Sequence, residues 1–161
     1  MKKIILKAVG YSWLAMLMLT VLAPGSVSAQ GQNGNGLVGS WDVRVSIKVC
    51  GTDTTLFGFP AMLTYNAGGT MEESDGGDPA LTRLTGHGIW ERQTGRQYAV
   101  AYRWLNFNPR PVYVGANVVR SSVAVAEDGN SYTSIDTVSL ILPNGTEVPV
   151  GCATTDGTRF H

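Results

Sequence analysis

The chain has 161 residues, with 12 Lys+Arg balanced by 12 Asp+Glu. That balance excludes a polycation, and with it nucleic acid or an anionic membrane surface as the main partner. Two cysteines without Cys-x-x-Cys spacing argue against a redox motif or a paired-cysteine metal site, and in an exported chain favour one disulfide between Cys50 and Cys152.

Export is what the first segment predicts. Lys2, Lys3 and Lys7 form a positive start, an apolar run from Ala8 to Ala23 follows, then Pro24 and Gly25, and Val27-Ser28-Ala29 fits a small-residue cleavage site. Residues 1–29 therefore read as a signal peptide. The helix breakers after the apolar run count against a retained membrane anchor, and no cysteine near the cut supports a lipid anchor. Cleavage leaves 132 residues carrying 9 basic and 12 acidic side chains, a net charge of −3, enough chain for one domain with a core. The expected location is periplasmic or extracellular, with no membrane partner once the signal is removed.

Residues 30–38 have little to bury before Leu37 and read as a flexible lead-in to a domain spanning 39–161. The first strand is predicted at 41–50, where Trp41, Val43, Val45, Ile47 and Val49 alternate with polar residues, the mark of a half-buried strand. A loop at 51–58 contains Leu56 and Phe57, and a second strand covers about 59–66. Asn66-Ala67-Gly68-Gly69 is turn chemistry before a short third strand at 70–74. The polar stretch from Asp75 to Gly86 is the longest connection and the first candidate for a binding loop. Strand four (87–93) turns through Thr94-Gly95 into strand five (97–107), and Asn108-Pro109-Arg110-Pro111 breaks the pattern. Strand six (112–126), the Asp128-Gly129 turn, strand seven (131–142), the Asn144-Gly145 turn and strand eight (146–160) complete the chain.

Eight strands and no credible helix after the signal segment leave a sandwich or a closed meander barrel. Placing Cys50 opposite Cys152 in antiparallel register sets Trp41 opposite His161, with Arg159 beside it on the same face. The first and eighth strands then pair, and closure removes the exposed edges that a sandwich must protect. The fold class expected is all-β, an eight-stranded antiparallel up-and-down β-barrel. In such a barrel the 51–58 loop, the 75–86 loop, the Asn-Pro-Arg-Pro segment and the Asn144-Gly145 turn gather at one mouth.

Gly39-x-Trp41 at the start of the first strand and Arg159 near the end of the last resemble the calycin superfamily, most nearly the lipocalin-like barrels among small exported bacterial proteins. The longer Gly-x-Trp-Tyr form is missing, since Asp42 follows Trp41, and there is no room for the C-terminal helix common in lipocalins. The resemblance implies an Arg159 side chain packed across Trp41 at a closed end, a structural pair whose cation–π contact contributes roughly 0.5 to 2 kcal/mol. It implies a ligand cavity as well, without naming the ligand.

The Thr94-Gly95 turn predicts His87 opposite Tyr102, Ile89 opposite Val100 and Glu91 opposite Tyr98. If that face is inward, Tyr98, Val100, Tyr102 and Trp104 line a pocket with His87, Ile89 and Glu91, capped by Leu56, Phe57 and Phe59. The same aromatics could simply fill the core, and the opposite face, with Trp90, Ala99, Ala101 and Leu105, is nearly as apolar. His87 and Glu91 lie ~13 Å apart along one strand, too far for direct contact. No catalytic or metal-binding motif appears, and no cofactor is expected. The sequence thus predicts a non-catalytic barrel that binds a small hydrophobic or aromatic molecule. Two alternatives stay open: an isomerase or cyclase resembling allene oxide cyclase barrels, using His87, Glu91 or Tyr102 in acid–base roles, and an interaction module with a filled barrel.

Overall fold

The computed structural model describes residues 36–77 and 82–161. The expected signal peptide, the first part of the lead-in and residues 78–81 of the long loop lie outside them. Eight strands follow in order: β1 Gly39–Lys48, β2 Thr55–Tyr65, β3 Thr70–Asp75, β4 Gly86–Thr94, β5 Gln97–Phe107, β6 Tyr113–Val125, β7 Ser131–Ile141 and β8 Glu147–Arg159. Each pairs antiparallel with the next, and β1 pairs with β8, so the sheet is a closed barrel. Closure pairs every strand with a neighbour on both sides along at least part of its length, which removes the free edge strands of an open sheet.

The alternation in β1 works as its sequence predicts. Trp41 and Val43 are buried, Val45 and Ile47 are half-buried, and Asp42 and Arg44 face water. Burial decreases along the strand because it climbs from a packed end toward an open one. The packed end is filled by Leu37, Trp41, Leu63, Tyr65, Met71, Tyr98, Val123 and Tyr132. Its rings meet edge to face, Trp41 and Tyr132 at 4.9 Å and Tyr65 and Tyr132 at 6.3 Å, the arrangement ring quadrupoles prefer.

Arg159 seals that end. Its guanidinium carbon lies 4.3 Å over the Trp41 ring, Nε donates to the Gly129 carbonyl, and the two terminal nitrogens donate to the carbonyls of Val38 and Gly36. Gly39 is the residue that lets it pass: at φ 132°, a Cβ there would sit 2.6 Å from the guanidinium. The last residues of the expected lead-in are consequently part of the packed structure. Leu37 is fully buried, and its carbonyl accepts the Trp41 indole N–H at 2.8 Å.

Two registers differ from expectation. Along β1 and β8 the offset is two residues: Trp41 stands opposite Arg159 rather than His161, and Cys152 opposite Lys48. Cys50 lies beyond the end of β1, in a turn closed by Thr52 N–H to the Val49 carbonyl, and reaches Cys152 from outside the ladder with the Cα atoms 5.2 Å apart. A two-residue offset preserves the faces, so the inward set is unchanged.

Between β4 and β5 the offset is one residue, and that turns every β4 side chain over. Thr94 pairs with Gln97, a register shift falls between Arg92 and Thr94, and His87, Gly88, Ile89, Trp90 and Glu91 stand opposite Arg103, Tyr102, Ala101, Val100 and Ala99. The turn is thus Gly95-Arg96 preceded by a bulge, not Thr94-Gly95. Cross-strand volume fits this register. Tyr102 faces Gly88, where a Cβ would overlap the Ala101 carbonyl oxygen and the Tyr102 Cβ. β4 therefore sends Gly86, Gly88 and Trp90 inward, leaving room for the aromatics of β5.

Candidate functional site

The half of the barrel away from Arg159 is hollow. A cavity of about 180 Å³ opens there, walled by Val45 and Ile47 of β1, Phe57 and Phe59 of β2, Tyr102 and Trp104 of β5, Val119 of β6, Val138 of β7 and Ala153 of β8. A cavity of about 150 Å³ admits a benzene ring, so the space suits one ring with a short arm. β2 begins four residues earlier than the sequence suggests, which makes Phe57 a strand residue facing Ile47, and Phe59 one facing Val45. Tyr102 and Trp104 stack at 6.1 Å and 30° on the opposite wall.

The residues singled out from sequence separate into three groups. Phe57, Phe59, Tyr102 and Trp104 line the cavity. Tyr98 and Val100 face inward but lie deeper, in the packed core. His87, Ile89 and Glu91 are on the outer wall, all exposed, Ile89 at 66%. The one-residue shift put them there, and with it the acid–base set of His87, Glu91 and Tyr102 is not assembled. Ile89 and Glu91 instead border a more open hollow on the outside of β4 to β7, with Ala99, Ala101 and Ile135.

What the cavity holds in their place is a set of charges. On β3 the alternation Met71, Glu73, Asp75 points inward, and on β7 so does Tyr132, Ser134, Asp136, Val138. Glu73, Asp75 and Asp136 all line the cavity. Each lies in phase with an apolar face, a period-two signal that could have placed them indoors.

Arg83 answers two of the three. Its short segment is held against the end of β5 by a bridge to Asn106 and by Leu84 N–H to the Leu105 carbonyl. From there the guanidinium binds Glu73 at 2.5 Å, pairs with Asp75, and lies 4.2 Å from the centre of the Trp104 ring. Burial pushes the Glu73 carboxyl up to about 7, against the pull of Arg83 and with the repulsion of Asp75 adding to it. Burial opposes the Arg83 charge, but hydrogen bonding and charge from Glu73 and then Asp75 outweigh it and push Arg83 further up.

Asp136, 3% exposed, is held by hydroxyls. Ser134 Oγ donates to one carboxylate oxygen and Thr155 Oγ1 to the other, both at 2.7 Å, and the Ser121 hydroxyl also bonds to it from the facing position on β6. Burial raises its pKa while the three hydroxyls lower it, and burial wins. Burial, then the nearby Glu73 and Asp136, likewise push the Tyr102 phenol well up, so it stays protonated and able to donate. Among the described residues no group of three or more His, Cys, Asp or Glu side chains is placed to hold a metal ion.

Comparison with known protein families, with curated proteins and with solved structures finds no match to this chain. The closed eight-stranded barrel is compatible with a calycin-like fold. The disulfide points to an oxidising compartment.

Proposed function

We propose that this is an exported, lipocalin-like barrel that binds one small, largely aromatic or apolar molecule in its mouth cavity without transforming it. The observation that carries the reading is the division of the barrel into two halves. One is packed with rings and latched by Arg159; the other leaves about 180 Å³ between aromatic walls at the end where the long connections gather. A pre-formed, mostly apolar concavity with a few convergent polar groups is what small-molecule sites look like. The Trp41–Arg159 pair at the closed end supports the calycin relationship, and the apolar run before Val27-Ser28-Ala29, with the disulfide, supports export.

Trp104 lies in the wall and gives the readout. Tryptophan emission and thermal unfolding are followed while single-ring aromatic probes are added, and native mass spectrometry of protein recovered from its export compartment looks for a retained molecule. Binding shifts emission and raises the melting temperature. A probe panel that moves neither signal at millimolar concentration, with no retained molecule, would refute the proposal.

A further inference from the structure

We infer that the molecule taken by this cavity is an organic cation, a compact ring or branched apolar body bearing a protonated amine or quaternary ammonium group, with Asp136 as its counter-charge. The inference rests on the binding reading above and adds the ligand's chemical class. Three carboxylates line the cavity, and Arg83, committed to Glu73 and Asp75, is the cation that reaches them. Among the described residues no ammonium or guanidinium lies within ion-pair distance of Asp136.

The three hydroxyls around Asp136 orient its carboxylate, but they carry no charge to neutralise it. A buried carboxylate without a counter-ion is costly, and an ammonium group entering the cavity would supply one. The wall beside it is aromatic, with Tyr102 and Trp104 both lining the cavity, and the Trp104 ring already holds one cation, the Arg83 guanidinium, at 4.2 Å from its centre. A second group on the same wall is also incomplete: the indole N–H of Trp104, a residue 7% exposed, is buried with no acceptor. The unneutralised acid is the group that a cation completes; the Trp104 donor calls for an acceptor, which an ammonium does not offer, so a ligand that answered both would carry an acceptor besides its cation. An anion would meet Glu73, Asp75 and Asp136 together, and a neutral hydrocarbon would leave Asp136 as it is.

Three probes of one shape separate these cases: benzylamine, benzyl alcohol and benzoate, titrated near neutral pH into the disulfide-bonded protein and followed by calorimetry and tryptophan emission. Benzylamine is expected to bind at least about tenfold tighter than benzyl alcohol, a difference within reach of a desolvated cation–π and ion-pair contact, with benzoate weakest. Asp136→Asn should erase that preference, with benzylamine binding no more tightly than benzyl alcohol, since the carboxamide keeps shape and loses charge. Benzyl alcohol or benzoate binding as tightly as benzylamine overturns the cationic assignment and leaves the binding reading standing. A benzylamine preference that survives unchanged in folded Asp136→Asn overturns the assignment to this carboxylate. Silence from all three probes overturns the cationic assignment; the binding reading falls with it when the wider aromatic panel and native mass spectrometry are silent too. Should Asp136→Asn not fold, the probe series on the unmodified protein decides the ligand class by itself.

Discussion

Arg83 is the residue on which the cavity's electrostatics turn, and Arg83→Met isolates its contribution. The side chains it pairs are almost dry, at 6% exposure for Arg83, 2% for Glu73 and 5% for Asp75. Methionine keeps the length of the stem and its contact with the Trp104 ring, but leaves two carboxylates facing each other without a cation. Removing one partner of a buried pair costs about 3 to 5 kcal/mol, because the remaining charge stays desolvated. For a domain of this size that corresponds to roughly 10 to 20 °C in melting temperature. Urea denaturation at pH 8, followed by tryptophan emission, measures it. The triple change Glu73→Gln, Asp75→Asn, Arg83→Met should recover most of the loss, since neutral replacement of a whole buried ion network is often close to neutral in stability. A single variant losing less than about 1 kcal/mol, or a triple variant as unstable as the single, would refute the account of Arg83 as the counter-charge that keeps these acids folded inside.

Three further outcomes are expected. Glu73 has a folded pKa raised from 4.5 to about 7, so the folded state keeps a proton that the unfolded chain releases; its contribution is complete below pH 4.5 and is lost as pH rises through 7, on the order of 3 kcal/mol. Denaturation curves at pH 5 and pH 8 should therefore lie closer together in Glu73→Gln than in the native protein, and an unchanged gap would contradict the assignment. Arg159→Ala removes the stack on Trp41 and three donors to the carbonyls of Gly129, Val38 and Gly36, and should cost about 2 to 4 kcal/mol; hydrogen exchange should show the Gly36–Val38 segment opening first, and protection there equal to the native protein would count against the latch. Gly88→Ala places a methyl against the Ala101 carbonyl and Tyr102, and should destabilise by about 1 to 3 kcal/mol while moving Tyr102 into the cavity, so that probe affinity falls with stability; a variant as stable as the native protein would speak against the β4–β5 register.

Much of the barrel was written in local pattern. Alternation in Trp41–Val49 marked the inward face of β1, turn residues separated eight strands, and two cysteines 102 positions apart pointed to the meeting of first and last strands that the sheet contains. Each of these signals is carried by neighbouring residues or by a scarcity that leaves one partner. The two-residue offset between β1 and β8 did no harm, because side chains repeat every two residues.

The chemistry inside was decided elsewhere. Whether His87 or Gly88 meets Tyr102 depends on a bulge near Gln93 and on side-chain volumes facing each other across two strands, quantities that no single stretch of sequence contains. One residue of slip sent His87, Ile89 and Glu91 out to water and left the interior to Glu73, Asp75, Arg83 and Asp136, drawn from β3, the following loop and β7. Sequence alone pointed to a chain that closes on itself, and the family resemblance to which end is sealed; only packing across the closed sheet determined which charges it encloses, because a buried carboxylate is tolerated where a guanidinium from the segment before β4, or hydroxyls from its own and the flanking strands, hold it.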